Sequence, residues 1–287
     1  MLGVLTAVAD FSVRLYPPTW RWVAALLVIV SRASLAVLLV VVVLANDPPI
    51  GLFALIQLLI LFSAAPAGAA LLIRRSREAR LELYDADLVV RRNNLLMEVP
   101  RGAIVRIVAW ALPLPGAGLV LWLRSGRRLR DALEADDPAA LLDALAGGGD
   151  RRPAPTLHPT VAYAHAAASR AAWRWYHYLW KFVLFALAPT AVLFNAHQHI
   201  AYGGTLGEYY LLGPAAYLQT FALYWIAVAV HLVLFAGLWR VVAETTAWLA
   251  TWAAPSRAAR VRRIAELGCA VLYYAGVPAL LALRFLI

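Results

Sequence analysis

"ARLELYDADLVVRRNNLLMEVPRGAIVRIVAW", residues 79 to 110, decides the fold of the part of the chain that is not apolar. Leu81 and Leu83, then Leu88 and Val90, alternate with polar neighbours, which is the period of a strand with one buried face. Asn93-Asn94 reads as a turn, and Leu95 to Val99 and Ile104 to Trp110 give two further strands. Downstream, "GLVLWLRSGRRLRDAL", residues 118 to 133, adds two strands around a Ser125-Gly126 turn. Asp137 at a cap position and Pro138 at the first helical position then open a closing helix, "DPAALLDALA". The expectation is a small, strongly bent antiparallel sheet closed by one helix. Leu83, Val90 and Val105 should lie in its core and Arg127 on its surface.

On either side of this insert the chain is apolar. Of its 287 residues 63% are hydrophobic and 15% charged, against about 25% charged in soluble domains, and the mean hydropathy is +0.72. The spans Trp22 to Ala45, Leu52 to Ile73, Tyr176 to Phe194, Pro214 to Trp239 and Leu267 to Phe285 each approach the roughly 20 residues needed to cross a hydrocarbon core. Five crossings are therefore expected. No secretory signal is expected, because the first 13 residues lack a basic region.

Arginine placement orients these spans, since basic residues in short flanks stay cytoplasmic. Arg14 and Arg21 precede the first span, and Arg74, Arg75, Arg77 and Arg80 follow the second. Arg170, Arg174 and Lys181 flank the third, while Arg240, Arg257, Arg260, Arg262 and Arg263 lie between the fourth and fifth. The short opposite loops, Asn46 to Gly51 and Ala196 to Gly213, contain neither Lys nor Arg. The amino terminus and the insert should face the cytoplasm of a bacterial cell, the carboxy terminus the outside. Cys269 is the single cysteine, which excludes an internal disulfide and a cysteine metal cluster.

The expected organisation is an interfacial amino-terminal segment (1–20), a transmembrane hairpin (21–73), a β domain (74–150), a linker (151–175) and a three-helix transmembrane block (176–287). A basic amphipathic stretch (241–266) lies inside that block. The order "LYDADLVVRRNNLLMEVP", "RGAIVRIVAW", "PLPGAGLVLWL" and "DPAALLDAL", placed after a hydrophobic hairpin, resembles the bacterial pleckstrin-homology-like (PH-like) domain of inner-membrane proteins. The resemblance covers residues 79 to 147. It implies a noncatalytic scaffold that contacts proteins or the membrane surface and tends to self-associate, and it supplies no catalytic residues; no cofactor is expected, with haem or a metal as the alternative.

The net charge of +10 does not point to nucleic acid. Residues 74–150 hold 12 arginines against 11 acids, so the excess sits beside the apolar spans, where it sets topology and attracts anionic lipid. Arg91, Arg92, Arg257, Arg260 and Arg263 are candidate lipid or anion contacts, the last three at helical spacing. Inside the spans Arg32, Gln57, Gln219 and His231 are the polar residues that mark packing or function. Aligned by the ends of their spans, Arg32 matches His231 in depth and Gln57 matches Gln219. Arg32 has no acidic residue in the apolar spans to pair with. The stretch "FNAHQHIAYGGTLGEYYLLGP", residues 194 to 214, reads as an outside loop punctuated by glycine. Its alternative is a metal or quinone-type site on His197, His199 and Glu208, and His231 is the alternative haem ligand. The function expected is that of an accessory or scaffold subunit of an inner-membrane complex, contacting lipids and other membrane subunits or copies of itself. Its alternatives are a membrane enzyme or redox subunit using the histidines, and a lipid-handling or transport component.

Overall fold

The computed structural model describes residues 8–44, 51–92, 95–146, 158–168 and 174–279. In chain order it contains β1 (Ala9–Tyr16), α1 (Pro18–Leu44), α2 (Leu52–Ser76), β2 (Glu78–Leu83), β3 (Asp87–Arg92), β4 (Leu95–Pro100), β5 (Ile104–Ala109), β6 (Gly118–Leu123) and β7 (Ala132–Ala135). The helices α3 (Pro138–Ala146), α4 (Pro159–Ala168), α5 (Trp175–Tyr202), α6 (Gly207–Leu212), α7 (Pro214–Ala253) and α8 (Ala258–Tyr274) follow. Two compact units emerge, one formed by 1–31, 62–170 and 244–264, the other by 32–61, 171–243 and 265–287.

The first unit is a seven-stranded antiparallel sheet in the order β4-β3-β2-β1-β7-β6-β5. Its two edge strands, β4 and β5, are separated only by the short turn Arg101–Ala103. Opposite edges of the sheet therefore meet at that corner, and the sheet is curled on itself. Val13, Leu15, Leu81, Leu83, Leu88, Val90, Leu119, Leu121 and Leu133 fill its interior, together with Leu141 and Leu142 of α3. Asp137 caps α3 by accepting from the backbone N–H groups of Ala139 (3.1 Å) and Ala140 (3.3 Å). Arg101 closes the other end of α3 by donating to the carbonyls of Ala144 and Leu145. The positive φ of Gly126, 77°, makes the Ser125-Gly126 turn.

Six strands and the closing helix thus stand where the alternation places them. The seventh does not. Residues 9–16, expected as part of an interfacial segment, form the central strand, pairing with β2 and with β7. Val13, Leu15 and Tyr16 are completely buried. Val105, expected in the core, is 61% exposed, because the register between β5 and β6 shifts between Ile104 and Arg106 and turns Ile104 inward instead. Arg127 is exposed as expected. The expected linker also contains α4, whose Thr160, Val161, Ala164 and Ala166 are buried.

Among the described residues four helices are long and apolar enough to cross a membrane: Pro18–Val43, Leu52–Ser76, Trp175–Tyr202 and Pro214–Ala253. The fifth expected span starts within α8 and extends past residue 279, outside the described residues. The expected outside loop is largely helical. α5 continues to Tyr202 and ends on Gly203, whose φ of 72° supplies the left-handed cap, and α6 fills most of the remaining interval. In the second unit Gly237 of α7 lies against Leu35 of α1, close enough that a Cβ would come within 2.7 Å of Leu35 Cδ1. Leu38, Val42, Leu234 and Val230 belong to one cluster with Leu55 of α2. These pairs describe one antiparallel contact, with position 35 of α1 level with 237 of α7.

Candidate functional site

Three buried polar clusters join segments that are distant in sequence. In the first, Glu134 on β7 is 1% exposed and directly opposite Arg14 in the β1–β7 ladder. Its Oε1 accepts from Arg14 Nη1 at 3.0 Å and from Arg74 Nη2, at the end of α2, at 2.6 Å. Arg14 also reaches the exposed Asp136 at 2.8 Å. Gly116 lies so close to the carboxylate that a Cβ would sit 2.5 Å from Oε1 and force the Glu134 side chain to shift. The neighbouring Tyr16 hydroxyl is pushed well above the ordinary phenol range, by burial first and by the charge of Glu134 second.

In the second cluster Arg262 of α8, 5% exposed, spans both oxygens of Glu244 at 2.8 Å each. The Tyr163 hydroxyl of α4 donates to the same carboxylate, and the guanidinium lies 5.1 Å from the Tyr163 ring. Both bonds come from Nη2, a bifurcated charge-assisted contact that is stronger than a neutral hydrogen bond. It holds the segment 244–264 on α4.

The third cluster lies in the second unit. Glu208, 3% exposed, accepts from Gln198 Nε2 and from the Thr220 hydroxyl, each at 2.6 Å. Its own backbone N–H donates to Gln198 Oε1 at 3.2 Å. Both carboxylate oxygens and the start of α6 are thereby satisfied, fixing α5, α6 and α7 to one another.

Of the candidate site residues singled out by sequence, Glu208 lies in one of these clusters and the others fall elsewhere. His197 and His199 are two positions apart on a helix and diverge. His197 packs on Tyr224 and Tyr202, with ring centroids 5.2 and 5.9 Å away, while exposed His199 meets the Thr205 hydroxyl at 3.1 Å. With Glu208 committed to Gln198 and Thr220, the three do not converge. Among the described residues no three or more His, Cys, Asp or Glu side chains form a group able to hold a metal. His231 is exposed and its Nδ1 lies 2.6 Å from the Ala227 carbonyl.

Depth also differs from expectation. The α1–α7 register places Arg32 level with Arg240 and His231 level with Val41, about 13 Å apart along the helix axes at 1.5 Å per residue. Gln57, two residues after Leu55, falls about 25 Å from the level of Gln219 by the same rise. Matching spans by their ends fails because α7 is 40 residues long and overshoots the hairpin. Arg32, Gln57 and Gln219 are exposed and have no hydrogen-bonding or ionic partner among the described residues.

On the sheet, Arg91 lies 3.8 Å from Glu82, and Arg92 donates to the Ser76 carbonyl at 2.9 Å. Arg257, Arg260 and Arg263 are exposed and unpaired among the described residues. In the sequence nothing local distinguishes their neighbour Arg262 from them, because its partners are 18 and 99 positions away in the chain. Compared with known proteins, the chain matches no family model, no curated protein and no solved structure.

Proposed function

We propose that the chain is a noncatalytic accessory or scaffold subunit of a bacterial inner-membrane complex. It crosses the membrane five times, with the amino terminus and the curled sheet in the cytoplasm and the carboxy terminus outside. The sheet is a PH-like domain that contacts partner proteins or the membrane surface. Seven antiparallel strands closed by one helix support that resemblance, and the four long apolar helices support the membrane placement.

The observation that carries the scaffold reading is the contrast between Arg262 and its neighbours. Arg262 is clamped to Glu244 and Tyr163, which immobilises the start of α8. Arg257, Arg260 and Arg263 are left exposed at three-residue spacing, so the clamp presents a fixed cationic face. A preorganised charged face favours an acidic partner surface over a small substrate, because its ordering is complete before binding. Affinity purification in mild detergent tests this. The chain should carry companion subunits or further copies of itself, and replacing the three exposed arginines by glutamine should release them. An unchanged set of companions would overturn the reading. Visible spectra and elemental analysis of the same preparation test the redox alternative.

A further inference from the structure

Buried hydrogen-bond donors without acceptors collect at one corner of the first unit, where β1 runs into α1 and α2 returns into β2. Trp110, 3% exposed, has no acceptor for its indole Nε1, and the Nε groups of Arg21, Arg74 and Arg77 are buried without one. Trp110 packs with Tyr16, Ala24 and Ile73, which places it against the first turns of α1 and the last turns of α2. Gly118 permits this seat: a Cβ there would come 2.7 Å from the indole carbons.

The same corner carries uncompensated charge. The Arg21 guanidinium stacks 3.8 Å from the Trp110 ring centroid, and that of Arg77 lies 5.1 Å from the Trp20 ring. Neither pairs with a carboxylate among the described residues. The buried carboxylate nearby, Glu134, is neutralised by Arg14 and Arg74, both on Oε1, and its Oε2 is the one buried carboxylate oxygen without a partner among the described residues of this corner, against the four donors above. The first turn of α1 contains no acidic residue to offset its amide dipoles. Donors and positive charge therefore exceed acceptors, and the deficit is that of an oxygen-rich anion.

We infer that this corner binds a phosphate group, with Arg21 and Arg77 as its ligands and Trp110 holding Arg21 in place. Guanidinium groups meet phosphate oxygens through paired N–H donors. Trp20 and Trp22, 43% and 59% exposed, begin an apolar helix, where tryptophan belongs to the headgroup layer of a bilayer. The phosphate is accordingly that of an anionic lipid headgroup. The site rests on the membrane placement proposed above and is independent of any partner subunit.

Native mass spectrometry of the full chain, delipidated and then titrated with phosphatidylglycerol or phosphatidylcholine, tests it. Wild type should retain phosphatidylglycerol preferentially, and Arg21→Gln and Arg77→Gln should each weaken that retention by about tenfold, the value of a charge-assisted hydrogen bond. Arg21→Lys should fall between, since the charge persists without the planar stack on Trp110. Arg77→Gln, away from the buried indole, keeps the test usable if Arg21→Gln does not fold. A parallel titration with inorganic phosphate separates the sources: displacement of lipid by it would retain the phosphate site and assign it to a soluble ligand. Equal retention of both lipids, or retention unchanged in both glutamine variants, would overturn the site. If the chain still fractionates with membranes in that case, the membrane placement survives.

Discussion

Arg14 and Glu134, 120 positions apart in the chain, face each other across the β1–β7 ladder with Nη1 3.0 Å from Oε1. Arg74, from the last turns of α2, shares the same oxygen. One buried carboxylate thus joins the strand that enters the hairpin to the helix that leaves it. Removing one member of a buried ionic group leaves charges desolvated and unpaired, which costs about 3 to 5 kcal/mol. Glu134→Ala should lower unfolding stability by about that amount, somewhat less because Arg74 is partly exposed, whereas Asp136→Ala, at the exposed end, should cost under about 1 kcal/mol. Denaturant titration of the two variants in detergent checks the ratio.

The central place of β1 gives a second expectation. Without residues 9–16 the ladder splits into β4-β3-β2 and β7-β6-β5, each with a new unpaired edge. A polypeptide of residues 77–146 alone should remain unfolded, while the same polypeptide with residues 8–16 attached through a flexible linker should show strand-type circular dichroism. Folding of the shorter piece would contradict the ladder. A folded but helical longer piece would do the same.

Much of this sheet is legible in the sequence because its hairpins are local: the alternation in β2 to β6 and the Asp137-Pro138 start of α3 lie beside their partners. β1 carries the same signal, with Phe11, Val13 and Leu15 alternating against Ser12 and Arg14, yet its partners lie more than 60 positions away and Pro17-Pro18 gives it the look of a helix entry. The polar clusters were illegible for the same reason. Gln198 and Thr220 read as ordinary loop or helix residues and Glu208 as a candidate metal ligand, and only packing of α5, α6 and α7 brings the three to 2.6 Å. Val105 failed for a local reason, a register shift that alternation does not announce.

His158 should make the seating of α4 sensitive to acid. Its Nδ1 accepts the backbone N–H of Thr160 at 3.3 Å, and its ring meets Trp252 edge-on with centroids 6.1 Å apart. Burial lowers its pKa below the ordinary 6.5. Below 6.5 the unfolded chain then binds more protons than the folded one, so stability rises with pH through this window and falls as the medium is acidified. Protonation also removes the acceptor that starts α4. Thermal unfolding midpoints on both sides of this window should converge for wild type and His158→Asn at the acidic end and separate toward neutrality; a wild-type midpoint that does not decline on acidification relative to the variant would refute the assignment.

Orientation is testable at two exposed positions, Ser125 in the β6–β7 turn and Thr205 between α5 and α6. In a Cys269→Ser background, a cysteine at 205 should react with a membrane-impermeant thiol reagent added to intact cells. A cysteine at 125 should react only after lysis. Labelling of position 125 from outside would reverse the topology.

The scaffold claim is tested most directly by the mass of the particle released from membranes in mild detergent, measured by native mass spectrometry. The chain itself is 31.4 kDa. The account predicts a particle heavier than this by at least one further polypeptide, a partner subunit or a second copy. It also predicts that substituting Arg257, Arg260 and Arg263 together by glutamine returns the mass to that of the single chain with its lipids. A 31.4 kDa wild-type chain accompanied only by lipid under every mild condition would contradict it.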